Sequence, residues 1–184
     1  MSGPKTTVLS TTPDHIVFGP GVSTINLGKV GERVLGMTAG GSTWNVTRTK
    51  REIDGDGLMG PTEGLIVLER VEARLTIRLK DTTKEDILIA IAGADITEDT
   101  PAGWDTITGG AIEATDYLTN VSVAAAYSSL GNDVIFIVKN ALPDGDFSMS
   151  LEDKGEGITE LVFLGHFTAA APTTEPWEAR FPKV

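Results

Sequence analysis

Hydrophobic and polar positions alternate most cleanly over residues 64–80. Leu65, Val67, Val71, Ala73, Leu75, Ile77 and Leu79 fall on one face, and Arg70, Glu72, Arg74, Thr76, Arg78 and Lys80 on the other. A period of two predicts a half-buried strand. Glu69 interrupts the apolar face, which predicts an end of the core or a bulge at that point. Upstream, residues 33–38 predict a short strand ending at Gly40-Gly41. Residues 42–53 predict a second strand, exposed because Arg48, Lys50 and Arg51 crowd it.

Downstream the period changes. Thr82-Thr83-Lys84-Glu85 predicts a capping box in which the Thr82 hydroxyl accepts from the backbone of Glu85. Ile87, Leu88 and Ile91 follow at helical spacing and Gly93 is a natural stop, so residues 82–93 predict one short helix packed on a sheet. Residues 94–114 predict an acidic loop holding Trp104. Four more strands are predicted over 116–128, 134–142, 145–153 and 158–169, with a turn at Leu142-Pro143-Asp144-Gly145. Residues 1–24, rich in Thr, Ser, Gly and Pro, predict an N-terminal arm. Residues 170–184, AAPTTEPWEARFPKV, predict an extended, Pro-broken tail.

The connection between the two early strands stands out. It spans residues 54–63 and contains Asp54, Gly55, Asp56, Gly57, Leu58, Met59, Gly60 and Pro61. A hairpin needs about 2–5 connecting residues, and compact domains rarely keep a longer loop without a use for it. Leu58 and Met59 are apolar side chains that a lone loop cannot bury. They predict a loop that docks on another molecule, the two side chains leaving solvent when another subunit arrives.

Composition narrows the class. A chain of 184 residues predicts a single domain, 1–184, and its 21 glycines with short alternating segments predict a mainly β fold. No apolar run approaches the roughly 20 residues of a membrane span, so no membrane anchor is expected. MSGPKTTVLSTTPDH lacks an apolar signal-peptide core, and the expectation is a protein made in a cytoplasm. There is no cysteine, which excludes disulfides and thiolate metal sites. The net charge of −11 argues against a protein that grips nucleic acid. It is unevenly spread: residues 1–80 carry 10 Lys/Arg against 8 Asp/Glu, and residues 81–184 carry 5 against 18. The basic strand face Arg70, Arg74, Arg78 and Lys80 is expected to pair with acids from the second half, Asp146 and Glu152 being the candidates.

Motifs for catalysis or cofactors are missing. Asp54-Gly55-Asp56-Gly57 has the acid-Gly spacing of a calcium loop, but an EF-hand needs an oxygen ligand, Gly and Glu where this chain has Leu58, Met59 and Leu65. Gly28, Gly31 and Gly36 do not make a dinucleotide fingerprint. His15 and His166 are the only histidines, and neither HExxH nor GxSxG occurs. Glu152 and Asp153 would point to opposite faces of a strand and cannot flank one substrate. Trp44, Trp104 and Trp177 suit a core or an interface, or else a sugar platform. Neither a cofactor nor an enzymatic activity is expected.

The loop with its flanking strands, the helical block KDTTKEDILIAIAG and the block DYLTNVSVAAAYSSLGNDVIFIVKNALPDGDFSMSLEDKGEG together resemble the major tail protein of long-tailed bacteriophages. The resemblance covers residues 25–169. It implies two packed antiparallel β-sheets, a sandwich or partly closed barrel, with one short flanking helix. It implies hexameric rings of the chain itself, stacked into a hollow tube that meets other tail proteins at its ends. DNA would pass through without tight binding, in a virion tail assembled in the host cytoplasm. The loop and the terminal arms would supply contacts between rings. The tube of a contractile or secretion-type injection machine and a β-sandwich carbohydrate-binding or adhesion module are the alternatives.

Overall fold

A computed structural model of the protein describes residues 18–57, 60–99, 102–127, 133–149 and 157–182. In chain order the elements are β1 (Phe18–Ile25), β2 (Arg33–Val34), β3 (Thr38–Glu52), β4 (Ile66–Leu79), helix α1 (Lys84–Ala90), β5 (Ala94–Thr97) and β6 (Thr106–Gly109). A 3-10 turn (Ala114–Asp116), β7 (Leu118–Tyr127), β8 (Asp133–Pro143), β9 (Thr159–Gly165) and β10 (Trp177–Arg180) follow. Among the described residues the fold is mainly β, every strand pairing is antiparallel, and there is one short α-helix.

Eight strands share one hydrogen-bonded path, β2-β1-β7-β8-β9-β4-β3, with β10 also on β8. β5 and β6 form a separate ribbon. The sheet curls, so that its far strands approach where the Ser23 and Ser42 hydroxyls lie 3.2 Å apart. The core fills the curl. Leu75, Ile77, Leu79, Leu161 and Phe163 come from one half, and Ile25, Val121, Val123 and Val138 from the other. The layers pack as in a β-sandwich, but both belong to one continuous sheet rather than to two.

The predicted strand face of β4 needs one correction. Thr49 pairs with Arg70 and Lys50 with Leu68, so Glu69 is the extra residue of a bulge. The bulge reverses the alternation upstream of it. Ile66 and Leu68, opposite Glu52 and Lys50, share the face of Val71 and Ala73, while Leu65 and Val67 turn to the other side.

Several other expectations change. The arm predicted over 1–24 enters the sheet at Phe18. Gly19 and Pro20 fall in the register shift of β1, where a missing N–H costs no ladder bond. The loop predicted over 94–114 contains the β5–β6 ribbon. Over the strand predicted at 145–153, the described residues hold only a bridge from Met149 to Thr159. The helix is capped by Thr83, not Thr82. Thr83 Oγ1 accepts from the backbone of Asp86, whose side chain accepts from the Thr83 N–H. Thr82 donates instead to Thr159 Oγ1, at 2.8 Å. Asp86, 1% exposed, is held at 2.7 Å by Arg33, which fastens α1 to β2.

The predicted tail contains β10. Residues 135–138 of β8 pair with β10, and residues 141–143 of the same edge pair with β9. The sheet therefore forks at Asn140, which takes φ +46°. A Cβ on Gly165 would meet the Pro176 carbonyl at 2.8 Å and Val138 Cγ1 at 2.9 Å, so only glycine fits where the branches separate.

Candidate assembly surfaces

The β3–β4 hairpin outruns the core. From base to tip, its inward positions change from apolar to charged. Trp44 and Val46 pack on the core; Arg48, Lys50 and Glu52 then take their places on the same face. From Val71, the last buried residue of β4, the hairpin runs on for about 20 Å at strand rise. Ile53, Ile66, Val67 and Leu68 on this arm are 43%, 48%, 40% and 39% exposed. Ile66 and Leu68 share one face of the arm, and Val67 lies on the other.

At the end of the arm, Ile53 N donates to the Leu65 carbonyl and closes the loop base. Asp54, Gly55, Asp56, Gly57, Gly60 and Pro61 are all exposed. Leu58 and Met59 lie outside the described residues. Gly57 and Gly64 take φ +89° and +86°, left-handed values that explain the glycines of this turn.

The basic face of β4 is charge-matched within the subunit, though not by the expected acids. Arg74 pairs with Asp144 and lies 3.7 Å from Glu72, Arg70 pairs with Glu72, and Arg78 lies 3.3 Å from Glu160. Asp144 and Glu160 belong to the second half, as anticipated. Asp146 is no partner of these arginines among the described residues, because the turn after β8 presents Asp144 instead, and Glu152 lies outside them. Lys80 is exposed just beyond β4, and its backbone N–H donates to Met37. Such exposed pairs contribute about 0–1 kcal/mol each; their main effect is to neutralise the face.

The tryptophans do not form a platform. Trp44 packs 4.9 Å from Phe136 and 5.7 Å from Trp177 in the core, and Trp104, 71% exposed, stands apart on the β5–β6 connection. A groove of about 600 Å³ lies at the base of the arm, between Leu68, Val71, Leu164, Phe167 and Pro172.

A second cavity, of about 490 Å³, is lined by Lys29, Tyr117, Asn120, Ile137, Lys139 and Arg180. Lys139 and Arg180 both reach Glu178, at 2.7 and 2.6 Å. The hydrogen bonds from Lys139 first and Arg180 second hold the Glu178 carboxyl down, from 4.5 to about 2. A lowered folded-state pKa stabilises above the unfolded value and loses that contribution as protons bind. The clamp of β10 on β8 is therefore expected to weaken between about pH 4.5 and about 2. In urea titrations, Glu178→Gln should lose less stability than wild type across that window; equal losses would mean that the clamp contributes nothing. No sequence signal links Lys29, Lys139 and Arg180, which are 41 or more residues apart in the chain.

Among the described residues, no group of three His, Asp or Glu side chains is placed to hold a metal. His166 Nδ1 lies 3.0 Å from the Leu164 carbonyl and its ring meets Tyr117 edge-on at 5.3 Å. His15 lies outside the described residues. Among the described residues, no helix is long and apolar enough to cross a membrane.

No protein-family model matches the chain, and no curated protein matches it. A chain in the six-fold-symmetrised cryo-EM structure of the anti-feeding prophage baseplate is similar at 12% identity and a TM-score of 0.45, over 83% of this chain and 92% of that one. A likeness this distant assigns no function.

Proposed function

We propose that the chain is a structural subunit of a long-tailed phage tail tube, polymerising as stacked hexameric rings into a hollow conduit for DNA. The observation that carries this reading is the arm: an outrunning hairpin with Ile53, Ile66, Val67 and Leu68 exposed and a Gly-rich acidic loop at its end. An isolated subunit gains nothing from such an arm, whereas a polymer gains a repeated contact. The resemblance of the loop, helix and 116–157 blocks to major tail proteins supplies the kind of polymer. Charge matching on the β4 face supports free passage of DNA, since each phosphate contact would have to break for the duplex to slide. The partners are further copies of the chain and other tail proteins at the tube ends, in the virion tail. The subunit has no turnover of its own, and hydrolase and phosphatase substrates should stay at background. Negative-stain images of the purified protein are expected to contain rings or hollow tubes. Dispersed monomers at tens of micromolar would overturn the reading.

A further inference from the structure

Positive charge is scarce in this protein, and its placement is uneven. Outside the β3–β4 hairpin and the adjacent Lys80, five lysines and arginines are described: Lys29, Arg33, Lys84, Lys139 and Arg180. Arg33 is committed to Asp86 and Lys84 to Asp105. The other three line the single 490 Å³ cavity. Glu178 offsets one of them, and Lys29 has no ion-pair partner among the described residues. The cavity thus carries an excess of positive charge on a chain of net charge −11.

The outer end of the arm has the opposite character. No Lys or Arg occurs between residues 52 and 69, and Glu52, Asp54, Asp56 and Glu63 have no ion-pair partner among the described residues. These exposed carboxylates lie beside the exposed Ile53, Ile66, Val67 and Leu68 in the chain, and the cavity offers Ile137, Tyr117 and Ala114 beside its cations. Charge is therefore complementary: exposed, unpaired carboxylates at the arm end and a cationic hollow on the same chain.

We propose that the acidic arm end of one copy, through Asp54 and Asp56, docks in the Lys29–Lys139–Arg180 cavity of a second copy. The inference rests on the self-association proposed above and names the receptor for the arm. The two surfaces differ, so the contact is heterologous, and repeating it either closes a ring or propagates a stack. Fully formed charge pairs in such a contact also set its register and speed its formation.

A charge swap tests it. Lys29→Glu with Arg180→Glu should weaken self-association at least about tenfold by sedimentation velocity, as should Asp54→Lys with Asp56→Lys. Combining all four substitutions in one chain should restore much of the loss. Association of the Lys29→Glu, Arg180→Glu chain at wild-type strength overturns the proposal. So does failure of the four-fold variant to recover while the Asp54→Lys, Asp56→Lys chain is impaired; the arm then docks elsewhere and the tube reading stands. A wild-type chain that never associates overturns both. Loss of low-salt binding to double-stranded DNA in the Lys29→Glu, Arg180→Glu chain, with association unchanged, assigns the cavity to phosphates and also overturns it. If a reversed chain misfolds, cross-linking decides, because the protein has no cysteine. Lys29→Cys chains mixed with Asp56→Cys chains should give mixed disulfide dimers under mild oxidation, and absence of these dimers in an associating mixture overturns the docking.

Discussion

Replacing Ile66 and Leu68 by aspartate is expected to abolish polymerisation while leaving the subunit folded. The two side chains are 48% and 39% exposed and lie beyond the last buried residue of β4, Val71. Surface changes of this kind alter stability by about 0.5 kcal/mol or less. In the polymer the cost is of another order. Fully burying a large aliphatic side chain contributes roughly 1.5–3 kcal/mol, of which about half is still available to a partner here. An aspartate in the same place must instead be desolvated, at several kcal/mol for an uncompensated charge. A loss of about 3 kcal/mol per contact is more than a hundredfold in affinity, and a closed assembly multiplies it over every contact. Leu58→Asp with Met59→Asp at the loop end is expected to act the same way. Electron microscopy should find no rings or tubes, with circular dichroism unchanged. A double variant that polymerises like wild type, or that unfolds, removes the arm from the assembly surface.

Arg33→Ala should cost the subunit about 3 kcal/mol, the lower end of the loss on unpairing a buried ion. Asp86 is 1% exposed and its Oδ2 is held by Thr83, but Oδ1 has no hydrogen bond of good geometry and relies on the Arg33 charge at 2.7 Å. Arg33 itself is one-third exposed, so water can partly replace it, which keeps the figure at the lower end. Asp86→Asn in the Arg33→Ala background should recover part of the loss by removing the stranded charge. Urea unfolding of the four chains forms the cycle. A change under about 0.5 kcal/mol for Arg33→Ala would mean that α1 is held to β2 by packing alone.

The same pair shows what could be read in the sequence. Thr82-Thr83-Lys84-Glu85-Asp86 holds two overlapping capping boxes, and local spacing alone does not choose between them. The choice falls to Thr83 because Asp86 meets Arg33, fifty-three residues away in the chain, and Thr82 meets Thr159. The strand β4 was legible because its partners bury one face over its whole inner length, leaving a period of two. Glu69 was legible as a break, but the reversal it imposes on Ile66 and Leu68 depends on the register against β3. β10 was obscured by its brevity and by Pro176 and Pro182 on either side; its pairing with β8 is a tertiary event. The β5–β6 ribbon was obscured because its strands, ADIT and TITG, are short and carry few large apolar residues. For the candidate site, the arm loop announced itself through length and glycine, whereas the cationic cavity exists only after the fold gathers Lys29, Lys139 and Arg180.

The strand order also sets a timetable. β3 and β4 join through a connection of a dozen or so residues, and β7 and β8 through a shorter one, so these hairpins can form early. The remaining ladders must wait for distant chain to arrive: Ile25 meets Val121, and Leu79 meets Thr159. Topologies dominated by such non-local pairings fold on the order of milliseconds to seconds. Throughout that interval the sticky hairpin exists while the strands destined to cover the core are still unpaired. Crowded nascent chains therefore face a race between self-completion and capture by a neighbour's arm, and refolding yield should fall as concentration rises.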